Sequence, residues 1–201
     1  MEANGKPHIS ISLVELLTGP MYAEKTLRLI AMLKKFQVMR VPIVCLRPLK
    51  DTRDENLCSR SGLSLMDDVS QVQTSDLVAI DRLVRDKTVI GIDEIQMFTP
   101  QIVVRIEQWV RQGKHVIAAG IDSDFRGIVF PTIAALMALP ETKIHRVKAV
   151  CAVCLEENAT RSQRLRFGQP VPFDEPVELI DGVEAGVTYE PRCILHHVCP
   201  R

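Results

Sequence analysis

The residues Gly19-Pro20-Met21-Tyr22-Ala23-Glu24-Lys25-Thr26 fit the phosphate-binding pattern GxxxxGK(S/T) at every fixed position but one, where Glu24 replaces the second glycine. In such a loop the backbone N–H groups turn inward around phosphates, the lysine neutralises the outer oxygens, and the final hydroxyl ligates Mg2+. Lys25 and Thr26 keep the charged and metal-binding parts. Glu24 stands where a left-handed backbone is usual, a shape that a residue with a Cβ reaches at a cost of about 1–2 kcal/mol. Its carboxylate about 5 Å from a phosphate, at an effective dielectric of about 20, would be repelled by roughly 3 kcal/mol, on the order of a hundredfold in affinity. Turned into solvent, it would lose most of that effect.

Two further groups could do chemistry. The apolar run 88–92 ends in Asp93-Glu94. An aspartate directly after such a strand can hold the Mg2+ of a bound nucleotide, which leaves the glutamate to take a proton from an attacking hydroxyl. The pairs Cys151-x-x-Cys154 and Cys193-x-x-His196 have the spacing of two chelating knuckles that close a tetrahedral zinc site. His197 and Cys199 compete with His196 for the fourth position. Four ligands leave no vacancy for water, so the expected role is structural.

These groups need elements to hold them. The stretch 9–17 is apolar and leads into the loop, and 26–36 carries Leu27, Leu29, Ile30, Met32 and Leu33 at helical spacing, giving strand, phosphate loop, helix. Strands are expected at 41–46, 88–92, 115–119 and 143–149, and helices at 75–85, 100–112 and 131–139. Residues 47–64 read as a long loop, as do 164–178 with Pro170, Pro172 and Pro176. Strands alternating with helices predict an α/β fold, a P-loop NTPase-like parallel sheet flanked by helices over 1–150, followed by a small zinc-binding lobe over 151–201. Ligands in such sheets bind beyond the carboxyl ends of the strands, where the Gly19 loop and Asp93-Glu94 both fall.

The chain has 201 residues, 46% of them hydrophobic and 4% aromatic, with 25 basic and 25 acidic side chains. That is enough to bury a core, and the neutral balance points to neither nucleic acid nor an acidic membrane as partner. Apolar runs fall short of the roughly 20 residues that span a bilayer, and the start has no apolar signal core, so a cytoplasmic location is expected. Six cysteines are then better read as thiols or metal ligands than as disulfides.

The ordered set of phosphate loop, Val89-Ile90-Gly91-Ile92-Asp93-Glu94-Ile95-Gln96-Met97-Phe98, Ile121-Asp122-Ser123-Asp124-Phe125-Arg126-Gly127-Ile128-Val129-Phe130 and the two knuckles resembles the thymidine kinase family with a zinc-bearing lasso lobe, over nearly the whole chain. The resemblance implies Mg-ATP-dependent transfer of the γ-phosphoryl group to the 5′-hydroxyl of thymidine, usually in a homotetramer. It implies that ATP and Mg2+ are held by Gly19, Pro20, Met21, Tyr22, Ala23, Glu24, Lys25, Thr26, Asp51, Asp93 and Gln96. Glu94 is then the base, and Arg53, in an Asp51-Thr52-Arg53 segment like the family's DxR, steadies transferred charge. Met21, Met97, Ile121, Phe125 and Phe130 correspond to walls of the base pocket, Leu179, Ile180, Asp181 and Gly182 to the lasso turn, and Tyr189 to the tyrosine over the nucleoside. Core packing competes for Phe125 and Phe130. Met97 stands where the family usually has phenylalanine, replacing a flat stacking surface with a flexible thioether. Because Glu24, Met97 and Asp181 all fall on binding surfaces, the alternative is a degenerate kinase-like domain serving a partner domain or subunit.

Overall fold

The computed structural model describes residues 13–51, 57–58, 64–65, 68–177 and 186–201. Arg53, Leu179, Ile180, Asp181 and Gly182 lie outside them. The chain runs β1 (Val14–Gly19), α1 (Lys25–Val38), β2 (Ile43–Pro48), a short antiparallel pair β3 (Leu57–Cys58) and β4 (Ser64–Leu65), then β5 (Val69–Val72) and α2 (Leu77–Val84). It continues with β6 (Val89–Ile92), a 3-10 turn (Ile95–Met97), α3 (Ile102–Arg111), β7 (His115–Ile121), α4 (Pro131–Ala138) and β8 (Thr142–Arg146). Six strands form one sheet in the order β5-β2-β6-β7-β1-β8, every neighbouring pair parallel. This is the parallel α/β sheet flanked by helices expected from the alternation, consistent with a P-loop NTPase-like fold.

Both faces of the sheet are covered, which is why its central strands read as largely apolar runs. The two-residue period of a strand sends Val116 and Ala118 of β7 into the cluster with Leu16, Ile90, Ile92, Ile106 and Ile133, under α2, α3 and α4. Ile117 and Ala119 of the same strand point to the opposite cluster, where Leu29, Ile30 and Leu33 of α1 pack on Leu17, Ile43 and Cys45. Gly91 is flush with that face, since a Cβ there would come within 2.6 Å of Leu33 Cδ1. Among the described residues no helix is long and apolar enough to cross a membrane.

Three expectations differ in detail. Part of the segment read as loop over 47–64 is strand: β2 continues through Pro48, and β3 and β4 follow. Strand β5 went unread because only Val72 of its four residues is buried, as befits a polar edge strand. The stretch read as loop from Arg164 begins inside a strand: β9 (Arg161–Arg166) lies between β10 (Gln169–Pro170) and β11 (Val187–Arg192) in a three-stranded antiparallel sheet. The β9–β10 turn is Phe167-Gly168, with φ of 49° and 77°, a two-residue hairpin turn whose positive φ values are usually supplied by Asn-Gly or Asp-Gly. Phenylalanine in the first place hid it.

Candidate functional site

Strand β1 ends at Gly19, and the loop to α1 passes through a left-handed residue at Glu24. A Cβ on Gly19 would fall 2.2 Å from the Val147 carbonyl oxygen, so only glycine fits there. Glu24 adopts φ 56°, ψ 27° at the N-cap of α1, and its side chain is exposed. The substitution therefore retains the left-handed turn at some cost in strain, and the carboxylate stands in solvent, where screening reduces its repulsion of an anion. Glu24→Gly is expected to leave Mg-ATP affinity within about threefold of wild type and stability within about 1 kcal/mol, because relief of strain is offset by the extra freedom glycine gives the unfolded chain. Isothermal titration and thermal unfolding check this, and a hundredfold gain in affinity would place the carboxylate inside the site. Lys25 Nζ donates to the Pro20 carbonyl at 2.6 Å, folding back over its own loop. Thr26 Oγ1 lies 3.2 and 3.3 Å from the two carboxylate oxygens of Asp93 and donates to them.

Asp93 sits at the carboxyl end of β6, tied to β2 by its N–H to the Leu46 carbonyl at 2.9 Å. Carboxylate oxygens of Asp51, Asp93 and Glu94 all lie within 4.8 Å of one another. Three such charges repel unless cations oppose them. Arg47, buried at the end of β2, supplies one through its Nε, 2.9 Å from Asp51 Oδ2. Sequence reasoning missed Arg47, which it set at the start of the loop 47–64 and which the structure places inside β2. Hard oxygen ligands and an adjacent hydroxyl are the donor set that suits Mg2+. Beneath them, burial and the nearby Asp93 push the Cys45 thiol well above its ordinary pKa, so it stays neutral.

Glu94 is half-buried at φ 49°, ψ 45°. Gln96 Nε2 donates to its Oε2 at 2.5 Å, while Gln96 Oε1 accepts the Ile121 N–H at 3.1 Å. The backbone donor fixes which way the Gln96 amide faces, so its NH2 must point to Glu94. Gln96, read from the resemblance as an ATP or Mg2+ contact, here orients Glu94 and anchors the end of β7. Gly120 makes room for it, because a Cβ there would meet Gln96 Oε1 at 2.5 Å and Ile95 Cγ2 at 2.7 Å. Gly120→Ala is accordingly expected to destabilise the fold by about 1–3 kcal/mol, measured by denaturant unfolding; a neutral result would show that Gln96 can move aside.

Met21, Met97, Ile121, Phe130 and Tyr189 are half-buried around the same end of the sheet and the adjoining lobe, and Phe125 is buried. Phe130 packs against the core beneath α4. The guanidinium groups of Arg126 and Arg164 both lie over the Phe125 ring, 5.8 and 5.7 Å from its centroid. Tyr189 pairs with Arg164 across β11 and β9. Both phenylalanines thus do packing work, whatever else they touch.

In the lobe, one ligand atom from each of Cys151, Cys154, Cys193 and His196 lies within 4.8 Å of the others. His196 Nδ1 is 3.1 Å from Cys193 Sγ and 3.8 Å from Cys151 Sγ, bracketing the roughly 3.6 Å between S and N ligands on a tetrahedral zinc. Burial raises the Cys151 thiol, but N–H groups from Cys154, Cys193 and Val153 outweigh it and bring the pKa to about 5, so a thiolate ligand is ready at neutral pH. The choice of fourth ligand falls on His196. His197 Nε2 instead donates to the Phe125 carbonyl at 2.7 Å, and Cys199 lies outside the cluster, its thiol raised by burial and by Asp124. The residues form a Cys3His metal-binding cluster suited to structural zinc.

Comparison with known proteins agrees with this arrangement. The family model "Thymidine kinase" matches residues 12–197. A thymidine kinase of Coprothermobacter proteolyticus is 37% identical over 191 residues, covering 93% of this chain and 91% of that protein. Among solved structures, the Pif1 helicase of Candida albicans aligns with 68% of this chain and 36% of its own, at a TM-score of 0.36 and 14% identity, too slight a likeness to bear on either fold or function. With residues 12–197 matched by the family model, a relative 37% identical over 93% of the chain and a Cys3His cluster in the lobe, the chain belongs to the thymidine kinase family.

Proposed function

We propose that this chain is a thymidine kinase in activity as well as in family, transferring the γ-phosphoryl group of Mg-ATP to the 5′-hydroxyl of thymidine. The observation that carries the reading is the meeting of Thr26 and Asp93 beside Asp51 and Glu94, which joins a phosphate loop to three carboxylates at the carboxyl ends of the strands. Thr26 and Asp93 would hold Mg2+, which when bound neutralises phosphate oxygens. Lys25 leaves the Pro20 carbonyl to pair with the β- and γ-phosphates. Glu94, oriented by Gln96, takes the proton of the attacking 5′-hydroxyl as the new O–P bond forms and the bond to the β-phosphate oxygen breaks. By the resemblance of Asp51-Thr52-Arg53 to the family's DxR segment, Arg53 would steady the transferred charge. Residues 1–150 supply the nucleotide-binding part, and 151–201 the lobe that closes over the nucleoside.

The alternative, a degenerate domain serving a partner, rests on Glu24, Met97 and Asp181, of which Asp181 lies outside the described residues. The exposed, left-handed Glu24 weakens it, because the loop keeps its left-handed turn. ADP release from Mg-ATP, measured with and without thymidine at high nucleotide concentration, tests the proposal. Thymidine-dependent release with matching thymidine monophosphate supports it, and none from folded, zinc-loaded protein would favour the degenerate domain.

A further inference from the structure

We propose that the Cys3His lobe sets the nucleoside site through two positioning residues, Ser162 and His197, which hold Met21 on the phosphate loop and Phe125 on the loop after β7. Ser162 lies on β9 and is 4% exposed, and its Oγ accepts the Met21 N–H at 3.0 Å across 141 residues of sequence. Next to that bond, Ala23 of the same loop is buried with Val147, Ala149, Cys151 and Cys193 in one apolar cluster. The phosphate loop is thus held by the lobe through a hydrogen bond and through packing. On the other side, His197 Nε2 donates to the Phe125 carbonyl, and Arg164, two residues after Ser162 on β9, stacks on the Phe125 ring. Met21 and Phe125 therefore both contact the one lobe that brings Cys151, Cys154, Cys193 and His196 together. A donor such as the Met21 amide, left in a buried place without its acceptor, loses its fixed position or pulls water in.

The functional consequence rests on the kinase reading, but the positioning itself does not. Ser162→Ala, in nucleotide-free protein, should speed hydrogen exchange at the Met21 amide about tenfold while leaving Leu17 and Ile30 in the sheet core unchanged. In turnover, Ser162→Ala and His197→Ala should each raise the KM for thymidine about five- to tenfold, with a smaller fall in kcat, because walls that bind substrate and transition state alike act mainly on KM. Ser162→Thr and His197→Gln, which keep an acceptor and a donor, should restore most of the loss. Unchanged Met21 exchange in Ser162→Ala, or a KM unmoved in both alanine variants, overturns the proposal. Zinc content is measured for every variant, and Ser162→Ala decides the matter if His197→Ala loses its metal. Wild-type protein without thymidine-dependent ADP release would overturn the kinase reading, while the exchange result would still decide the role of Ser162.

Discussion

Glu94→Gln is expected to lower kcat for thymidine phosphorylation by about a thousandfold while leaving the Kd for Mg-ATP within about threefold. A positioned general base contributes roughly 10²–10⁴ in rate, and glutamine fills the same volume without accepting a proton. The comparison is clean for a structural reason. Residue 94 sits in the left-handed region at φ 49°, where strain is stored at the site, and the substitution leaves that strain equal in both proteins. The Gln96 NH2 group also still finds an acceptor, since the side-chain oxygen of a glutamine at 94 can replace Oε2. Loss of turnover with binding intact would then report chemistry and not collapse of the site. Glu94→Asp should fall between the two, because it keeps the charge but withdraws it by one methylene from the hydroxyl. Single-turnover measurement of phosphoryl transfer separates these cases from slow product release, and a Glu94→Gln enzyme retaining a tenth or more of wild-type kcat would remove Glu94 from the role of base.

The parts of the site that are local in sequence were legible; those built by distant contacts were not. The loop 19–26, Asp93-Glu94 and the two knuckles each suggest a chemistry within a few residues, because strand-end carboxylates and chelating pairs need fixed short spacings, and the carboxylates and the knuckles do each meet in one cluster. The sheet was equally readable, since strands buried on both faces must be largely apolar, as Val89–Ile92 and residues 116–119 are. Arg47 gave no such sign: its partner Asp51 fixes its meaning, and only the fold shows that both are buried. Ser162 was silent for the same reason, its acceptor role depending on a donor 141 residues away. Among His196, His197 and Cys199 the sequence offered three candidates at workable spacing. The backbone decided by turning His197 toward Phe125. Glu24 was the hardest case, because the letter alone sets a cost but not the direction of the side chain.

Cys193→Ser is expected to abolish stoichiometric zinc and to destabilise the protein by on the order of 5 kcal/mol, as loss of a structural metal does. Cys199→Ser, by contrast, should keep about one zinc per chain, because Cys199 is outside the four-ligand cluster. The size of the first effect follows from how little else holds the lobe. Its three-stranded sheet is short, its buried apolar cluster is mostly alanine and cysteine, and Leu155, Ile194 and Leu195 around the knuckles remain 76%, 63% and 85% exposed. Little apolar area is buried there, so the ligand bonds must supply much of the folding free energy. The consequence reaches the proposed nucleotide site, since Ala23 shares the Cys151 and Cys193 cluster and the Met21 N–H donates to Ser162. Chelation of the wild-type metal should therefore weaken Mg-ATP binding at temperatures where the six-stranded sheet is still folded, as read by circular dichroism beside titration calorimetry. Were Cys193→Ser to keep its zinc and its unfolding midpoint, the cluster would not be the metal site; were chelation to leave Mg-ATP affinity unchanged, the lobe would hold itself without the metal.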